Sequence, residues 1–248
     1  NKPRLAILKS RKYYSSDAQK IINARINEML NINKELLENG ARIPKLYGVF
    51  FVNNKYVEMQ QKILGNPIAI IREQEFFYEH DYHNYIGYKK LFEYVTKQQN
   101  ILVKLPQKAY DDLLNTHLLF RTYNYRYDDS HSENVLVNKN GFTIIDIDYN
   151  LMSENKKNID PMPIGNTNCV YDFIHPFSYG ANSGFTDEQN NVIYKNNIKV
   201  TTKLLTAISN KKLDYKSDYC GNLFNLMLGK NWKEIVSKIN AEVKALKK

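Results

Sequence analysis

The apolar residues of this chain recur in blocks, and the period changes from block to block. "PRLAILKSR" is a short apolar run with basic flanks, which reads as a strand ending in Lys9. In "SSDAQKIINARINEMLNINKELLENG", Ile22, Ile26, Met29, Leu30, Leu36 and Leu37 recur at helical spacing. The capping residues Ser15, Ser16 and Asp17 precede that helix and Gly40 closes it. "IPKLYGVFFVNNKYVEMQQ" alternates and breaks at Asn53-Asn54, the pattern of a strand hairpin. Residues 68–122 read as mostly helical and rich in aromatic side chains, with Gly87 and Pro106 as the only breakers. "NVLVNKNGFTIIDID" is a second hairpin turning at Asn140-Gly141, and helical spacing returns from about Gln189. The strand-rich part, residues 1–65, meets the helical part, residues 66–248, near Gly65-Asn66-Pro67.

Composition narrows the class. With 43% hydrophobic and 25% charged residues over 248 positions, the chain has enough apolar surface for a real core. No apolar run approaches the roughly 18 residues of a membrane span, and the N-terminal "NKPRLAILKSRKYY" lacks both a Met and a signal-peptide core. The missing Met is what a cut or processed chain is expected to show, and only eight residues precede Lys9. Cys169 and Cys220 are the two cysteines, without metal spacing or a disulfide framework, so a reducing cytosol is expected (a host's cytosol for a pathogen or viral protein). The formal charge of +9 favours anionic partners, yet tight clusters occur only at "KSRK" and "KALKK".

The chemistry concentrates in "YDDSHSENVLVNKNGFTIIDIDYN". A polar turn before a strand is common, and a turn Asp that caps backbone N–H groups is the plainest account of Asp129. The combination is less ordinary. Asp129 and Asn134 precede a short hairpin, and Asp146 and Asp148 follow it. A hairpin carrying Asn134 at one end and Asp146 at the other can bring both to one hard cation, which prefers oxygen ligands. His80 and His83 lie three positions apart but have no third ligand, so a surface helix is the better reading. Ser130 and His131 are adjacent and cannot form a nucleophile–base pair. The aromatic run "EFFYEHDYHNYIGYKKLFEY" has the spacing of a packed helix face, which disfavours a nucleic-acid role, and Trp232 is expected to pack the C-terminal helices.

The order of these elements and residues resembles the protein-kinase-like superfamily, which includes aminoglycoside, choline and phosphoinositide kinases. Lys9 matches the strand lysine that holds the nucleotide phosphates, and Glu28 its helical carboxylate partner. Asp129 and Asn134 match the catalytic base and the metal-binding Asn five positions later. Asp146 matches the magnesium aspartate, with Asp148 as a second metal carboxylate, and Asp172 matches an aspartate that braces the catalytic loop. Glu58, Met59, Gln60 and Gln61 fall where the nucleotide would be contacted. The resemblance implies an α+β, two-lobed kinase-like fold, with a small strand-rich N-lobe holding one long helix and a mainly helical C-lobe. It implies ATP with Mg2+, or Mn2+ in its place, and transfer of the γ-phosphate to a hydroxyl.

The chain also departs from the family pattern. No Gly-rich loop precedes Lys9, so a removed hairpin, a different phosphate cover or a partner protein completing the N-lobe is expected. Tyr127-Asp128 stands where His-Arg usually precedes the base, and spacing to Asn134 selects Asp129 over Asp128. "DID" replaces Asp-Phe-Gly, and no Ala-Pro-Glu anchor comes after it, so regulation through a phosphorylated activation loop is not expected. A protein Ser/Thr acceptor is slightly favoured. His131, giving Asp-x-His-x-x-Asn, keeps a small-molecule or lipid acceptor open, and the absent Gly-rich loop keeps open a pseudokinase acting as a binding module.

Overall fold

A computed structural model describes residues 6–13, 16–53, 55–68, 85–125, 127, 132–152, 167–178 and 184–246. Strands β1 (Ala6–Tyr13), β2 (Leu46–Val52) and β3 (Lys55–Gln61) form an antiparallel sheet in the order β1-β3-β2. Strand β1 does not end at Lys9. It continues through the polar residues to Tyr13, with an irregular register between Ser10 and Tyr13, so Lys9 lies inside the strand opposite Glu58. An outer strand can carry polar residues because its backbone pairing with β3 does not depend on apolar side chains. The β2–β3 connection turns at Asn53, whose φ of 50° is one that Asn tolerates.

Helix α1 (Ser16–Glu38) buries Ile22, Met29, Ile32 and Leu36 in the core. It stops where Gly40 takes a φ of +88°, which lets Gly40 N–H reach the Leu37 carbonyl (3.0 Å) and Ala41 N–H the Leu36 carbonyl (2.9 Å). A polar residue interrupts the apolar stripe. The Asn33 amide is buried, donates to the Pro44 carbonyl (3.0 Å) and the Tyr149 hydroxyl (2.7 Å), and accepts from Leu46 N–H (2.9 Å). One side chain thus joins α1 to the start of β2 and to a segment more than a hundred positions away.

The chain then enters a second small sheet. The two-residue strand β4 (Asn66–Pro67) pairs with β5 (Val135–Asn138), which pairs with β6 (Gly141–Ile144), all antiparallel. Gly65 permits the approach, since a Cβ there would lie 3.0 Å from the Val137 carbonyl oxygen. The remaining described α-helices are α2 (Tyr85–Lys104), α3 (Gln107–Thr122), α4 (Thr167–Ile174), α5 (Asp187–Asn210), α6 (Asp218–Leu228) and α7 (Trp232–Ala245). Pro106 starts α3, and a capping box between Thr186 and Gln189 starts α5. The described part is therefore mixed α+β, mostly helical with two small antiparallel sheets, and no described helix is long and apolar enough to cross a membrane.

One continuous core runs from α1 through α3, the β5–β6 hairpin and α4 to α7. Tyr110, Phe142 and Phe177 meet edge-on or tilted at its centre. Part of the aromatic-rich run packs internally, Tyr88 and Phe92 lying against Phe185. Trp232 stacks on Phe224 between the last two helices, as its sequence context suggests. A chain of amides, Gln99 to Asn197 (2.8 Å) and Asn197 to the Met227 carbonyl (2.8 Å), ties α2 and α5 to the end of α6.

Two buried polar groups make this packing testable. Asn33→Ala is expected to lower the unfolding free energy by about 2–4 kcal/mol, because Leu46 N–H and the Pro44 carbonyl lose their buried partner. Urea denaturation measures this, and a loss below about 1 kcal/mol would mean that the amide is dispensable. His117 is buried among Phe120, Tyr127 and Phe173, and its Nε2 has no hydrogen-bond partner among the described residues. Burial, reinforced by the Arg121 charge, pushes its pKa down from 6.5 to about 3. Between those values the unfolded chain binds a proton that the folded chain rejects. Its contribution is therefore whole above the unfolded pKa and is lost as pH falls toward the folded one. His117→Phe is expected to flatten the fall in stability between about pH 6 and pH 4 by about 1.4 kcal/mol per pH unit. An unchanged slope would contradict a neutral buried imidazole.

Candidate functional site

The β5–β6 hairpin is held on both edges. On one side Ile68 N–H donates to the Val135 carbonyl (2.9 Å), and the Asn138 amide donates to the Leu64 carbonyl (2.7 Å). On the other side Ile144 N–H donates to the Arg42 carbonyl (2.8 Å). Arg42 is itself fixed, its N–H donating to Thr116 Oγ1 (2.9 Å) and its guanidinium pairing with Asp112 on α3. Arg42 and Lys108 hold the Asp112 carboxyl below its usual range, against the opposing pull of desolvation. The hairpin therefore cannot shift without disturbing both the linker after β3 and the loop after α1.

At the open end of this hairpin the candidate ligands occupy neighbouring backbone positions. A single 3-10 turn, Ser132–Asn134, delivers Asn134 into the start of β5 with its residue 7% exposed. The ladder continues one step beyond the strand pair, Ile145 N–H donating to the Asn134 carbonyl at 2.8 Å. Asp146 is the next residue. Asn134 and Asp146 are thus brought together by the register of one hairpin.

Asp146 and Asp148 are not two alternating positions of one strand. Strand β6 ends at Ile144, and Asp146 has a φ of +60°. Strand alternation therefore does not put both on one face, because a left-handed residue reverses the chain direction and breaks the period of two. Asp is among the few residues that enter this region without a Cβ penalty prohibitive for the fold. The surroundings impose it. Ile145 accepts from the Tyr127 hydroxyl, Ile147 is buried, Asp148 N–H donates to the Tyr125 hydroxyl (3.2 Å), and Tyr149 is held by Asn33. Both carboxylates stand half-buried between these fixed points.

Helix α1 is fastened to the same segment a second time. Arg25 donates to both oxygens of Glu28 (2.9 and 3.3 Å) and reaches the Met152 carbonyl with its guanidinium. Glu28 lies mid-helix, as expected, and Arg25 is one of its partners. Glu58 is fully buried in β3, accepting from the Tyr56 hydroxyl (3.1 Å) and from Gln60 Nε2 (2.5 Å). It is also the register partner of Lys9, so the two positions share one face of the sheet. Gln60 is buried beside it, Met59 is half-buried, and Gln61 is exposed with its N–H donating to the Lys45 carbonyl (2.8 Å). Asp172 on α4 pairs with Arg121 at the end of α3 (3.4 Å), where both are largely buried.

Asp128, Asp129, Ser130, His131, His80 and His83 lie outside the described residues, as does the side chain of Lys9. Among the described residues no group of three or more His, Cys, Asp and Glu side chains could hold a metal. Asn134 and Asp146 instead offer an amide oxygen and a carboxylate. That hard-oxygen pair suits an ion that keeps most of its waters.

Arg25, Asn33, Arg42 and Tyr149 do not stand out in the sequence. Only Asn33 leaves a signal there, as a polar residue on the apolar stripe between Met29 and Leu36. The other three act through long-range contacts that no local pattern encodes. Compared with known proteins, the chain matches no protein-family profile, no curated protein and no solved structure.

Proposed function

We propose that this protein is an ATP- and Mg2+-dependent phosphotransferase of the kinase-like type, acting on a hydroxyl acceptor. The observation that carries the reading is the neighbouring backbone placement of Asn134 and Asp146 at the open end of one clamped hairpin, with Asp146 in a left-handed conformation. Sparsely populated backbone conformations at non-glycine residues cluster where a side chain must be aimed. The sheet order β1-β3-β2, with α1 directly after the strand that carries Lys9, agrees with the small lobe of such an enzyme.

In this reading Asn134 and Asp146 bind the magnesium, and Asp148 supports it from the half-buried position two residues on. The ion, when bound, supplies neutralisation of the nucleotide's phosphate charge. Lys9 holds the phosphates, steadied by Glu28 or by the buried Glu58 opposite it. Asp129, placed by its spacing to Asn134, accepts the acceptor's hydroxyl proton or orients that hydroxyl. The acceptor of choice is a protein Ser or Thr.

Two variants test this with radiolabelled ATP, Mg2+ and cell extract as the acceptor source. Asp146→Asn keeps the shape and tolerates the positive φ, so the fold should survive while Mg2+-dependent nucleotide binding and transfer fall by about a hundredfold or more. Asp148→Asn should be milder. Unchanged turnover in the Asp146 variant would overturn the assignment, and a more severe Asp148 variant would move the metal site by two residues.

Asp129→Asn separates chemistry from binding. Nucleotide affinity should hold within a few fold while transfer drops about a hundredfold or more, the range for loss of a general base. If transfer is absent from the native chain while nucleotide still binds, the protein is a binding module that keeps the fold. A turn-capping Asp would instead cost about 1 kcal/mol of stability and leave transfer untouched.

A further inference from the structure

We infer that the groove between the end of α5 and helix α7 docks an acidic peptide segment of a partner protein. The groove has a volume of about 840 Å3 and is built by the turn that succeeds α5. Helix α5 ends as Lys212 enters a φ of 55°, and Leu213 N–H returns to the Ile208 carbonyl at 3.1 Å. The chain then crosses in front of α7 before α6 begins at its cap, Ser217. Ile208 and Val236 form a buried apolar floor, with Leu213 and Trp232 half-buried at its sides.

The rim is basic. Lys212, Lys216, Lys233 and Lys244 line it, all exposed, against Asp214 as the one lining carboxylate. Asp214 is turned to its own backbone, accepting from Lys216 N–H at 3.0 Å. The neighbouring Glu234 is taken by Lys238 (2.7 Å), on the outward side of α7. Among the described residues none of the four lysines belongs to an ion pair, while Lys233 lies over the Trp232 ring at 5.7 Å. The formal charge of +9 thus has a local concentration, set around an apolar recess.

This combination selects one kind of occupant. A nucleic acid would need a basic track with several stacking rings, whereas the groove offers the Trp232 indole and a half-buried Tyr215 that is already held edge-on by Phe224 and through its hydroxyl by Asn240. A membrane surface is flat on this scale, whereas these ammonium groups surround a concavity. A short peptide can place an apolar side chain on the floor and carboxylates against the rim, gaining both burial and charge complementarity. The volume lies within the roughly 300–1,000 Å3 of ordinary ligand sites, enough for a few residues. The surface stands apart from the Asn134–Asp146 site, so its test does not depend on phosphoryl transfer.

Trp232 is the only tryptophan in the chain, and its fluorescence reports on the groove directly. The full chain is titrated with the synthetic peptide acetyl-EEDLEEFE-amide, with its uncharged counterpart acetyl-QQNLQQFQ-amide as control. The acidic peptide is expected to give a saturable change at roughly 10–100 µM, weakened about tenfold by half-molar salt, and the control none. The double variants Lys212→Glu/Lys216→Glu and Lys233→Glu/Lys244→Glu, whose changes are on exposed residues, should each weaken binding about tenfold or more. Equal binding of the control, or undiminished binding by both variants, would overturn the proposal. So would anionic phospholipid vesicles or a single-stranded oligonucleotide that act at lower concentration than the peptide.

Discussion

The buried amide of Asn33 is the constraint on which the site depends. Its two donated hydrogen bonds and one accepted bond leave it no freedom to rotate, and its partners lie in two separate parts of the chain. Leu46 begins β2 and Pro44 lies just before it, so the amide ties α1 to the edge of the three-stranded sheet. Tyr149 lies three residues beyond Asp146, so the same amide sets where the chain can go after the hairpin. A buried amide without these partners would cost more than an apolar residue of the same size, which is why the three bonds form together or not at all.

Around that point, charge and strain are handled by separate means. Arg25 ties α1 to the Met152 carbonyl while staying partly exposed, where its bond to Glu28 is screened by water. Arg42 carries a second tie, from the loop after α1 to both α3 and β6. Deeper in, the molecule avoids charge. His117 stays neutral against three aromatic rings, and the nearby Cys169 thiol is pushed up to about 12 by burial. Among the described residues the fully buried Glu58 and the Arg121–Asp172 pair are exceptions, and the pair joins the end of α3 to α4. The left-handed turn at Asp146 costs about 1 kcal/mol or more, and the hydrogen bonds and burial of its neighbours on both sides offset that cost.

Much of the local structure is legible in the sequence because it depends on local chemistry. The period of Ile22, Met29 and Leu36, the stop at Gly40, the turn at Asn53 and the hairpin around Gly141 all come from backbone preference and alternation. The end of β1 is not legible, because strand pairing continues into a polar stretch that carries no apolar signal. The positions of Asp146 and Asp148 escape for a different reason: strand alternation stops where a residue takes a positive φ, and φ at an Asp is decided by what anchors its neighbours. Tyr125 and Tyr127 supply those anchors from about twenty positions upstream, and two of the chain's nineteen tyrosines do not announce themselves. The meeting of Asn134 with Asp146 can be foreseen from the hairpin alone. The clamp that makes it rigid cannot.

The central claim is that α1 and the segment from Ile145 to Met152 form one mechanical unit through Asn33. Hydrogen–deuterium exchange on the native chain and on Asn33→Ala, under conditions where both remain folded, tests this most directly. The account predicts that exchange rises together in the middle of α1 and at Asp148–Met152, while the helices α5 to α7 keep their protection. A rise confined to α1, with Asp148–Met152 as protected as before, would contradict it.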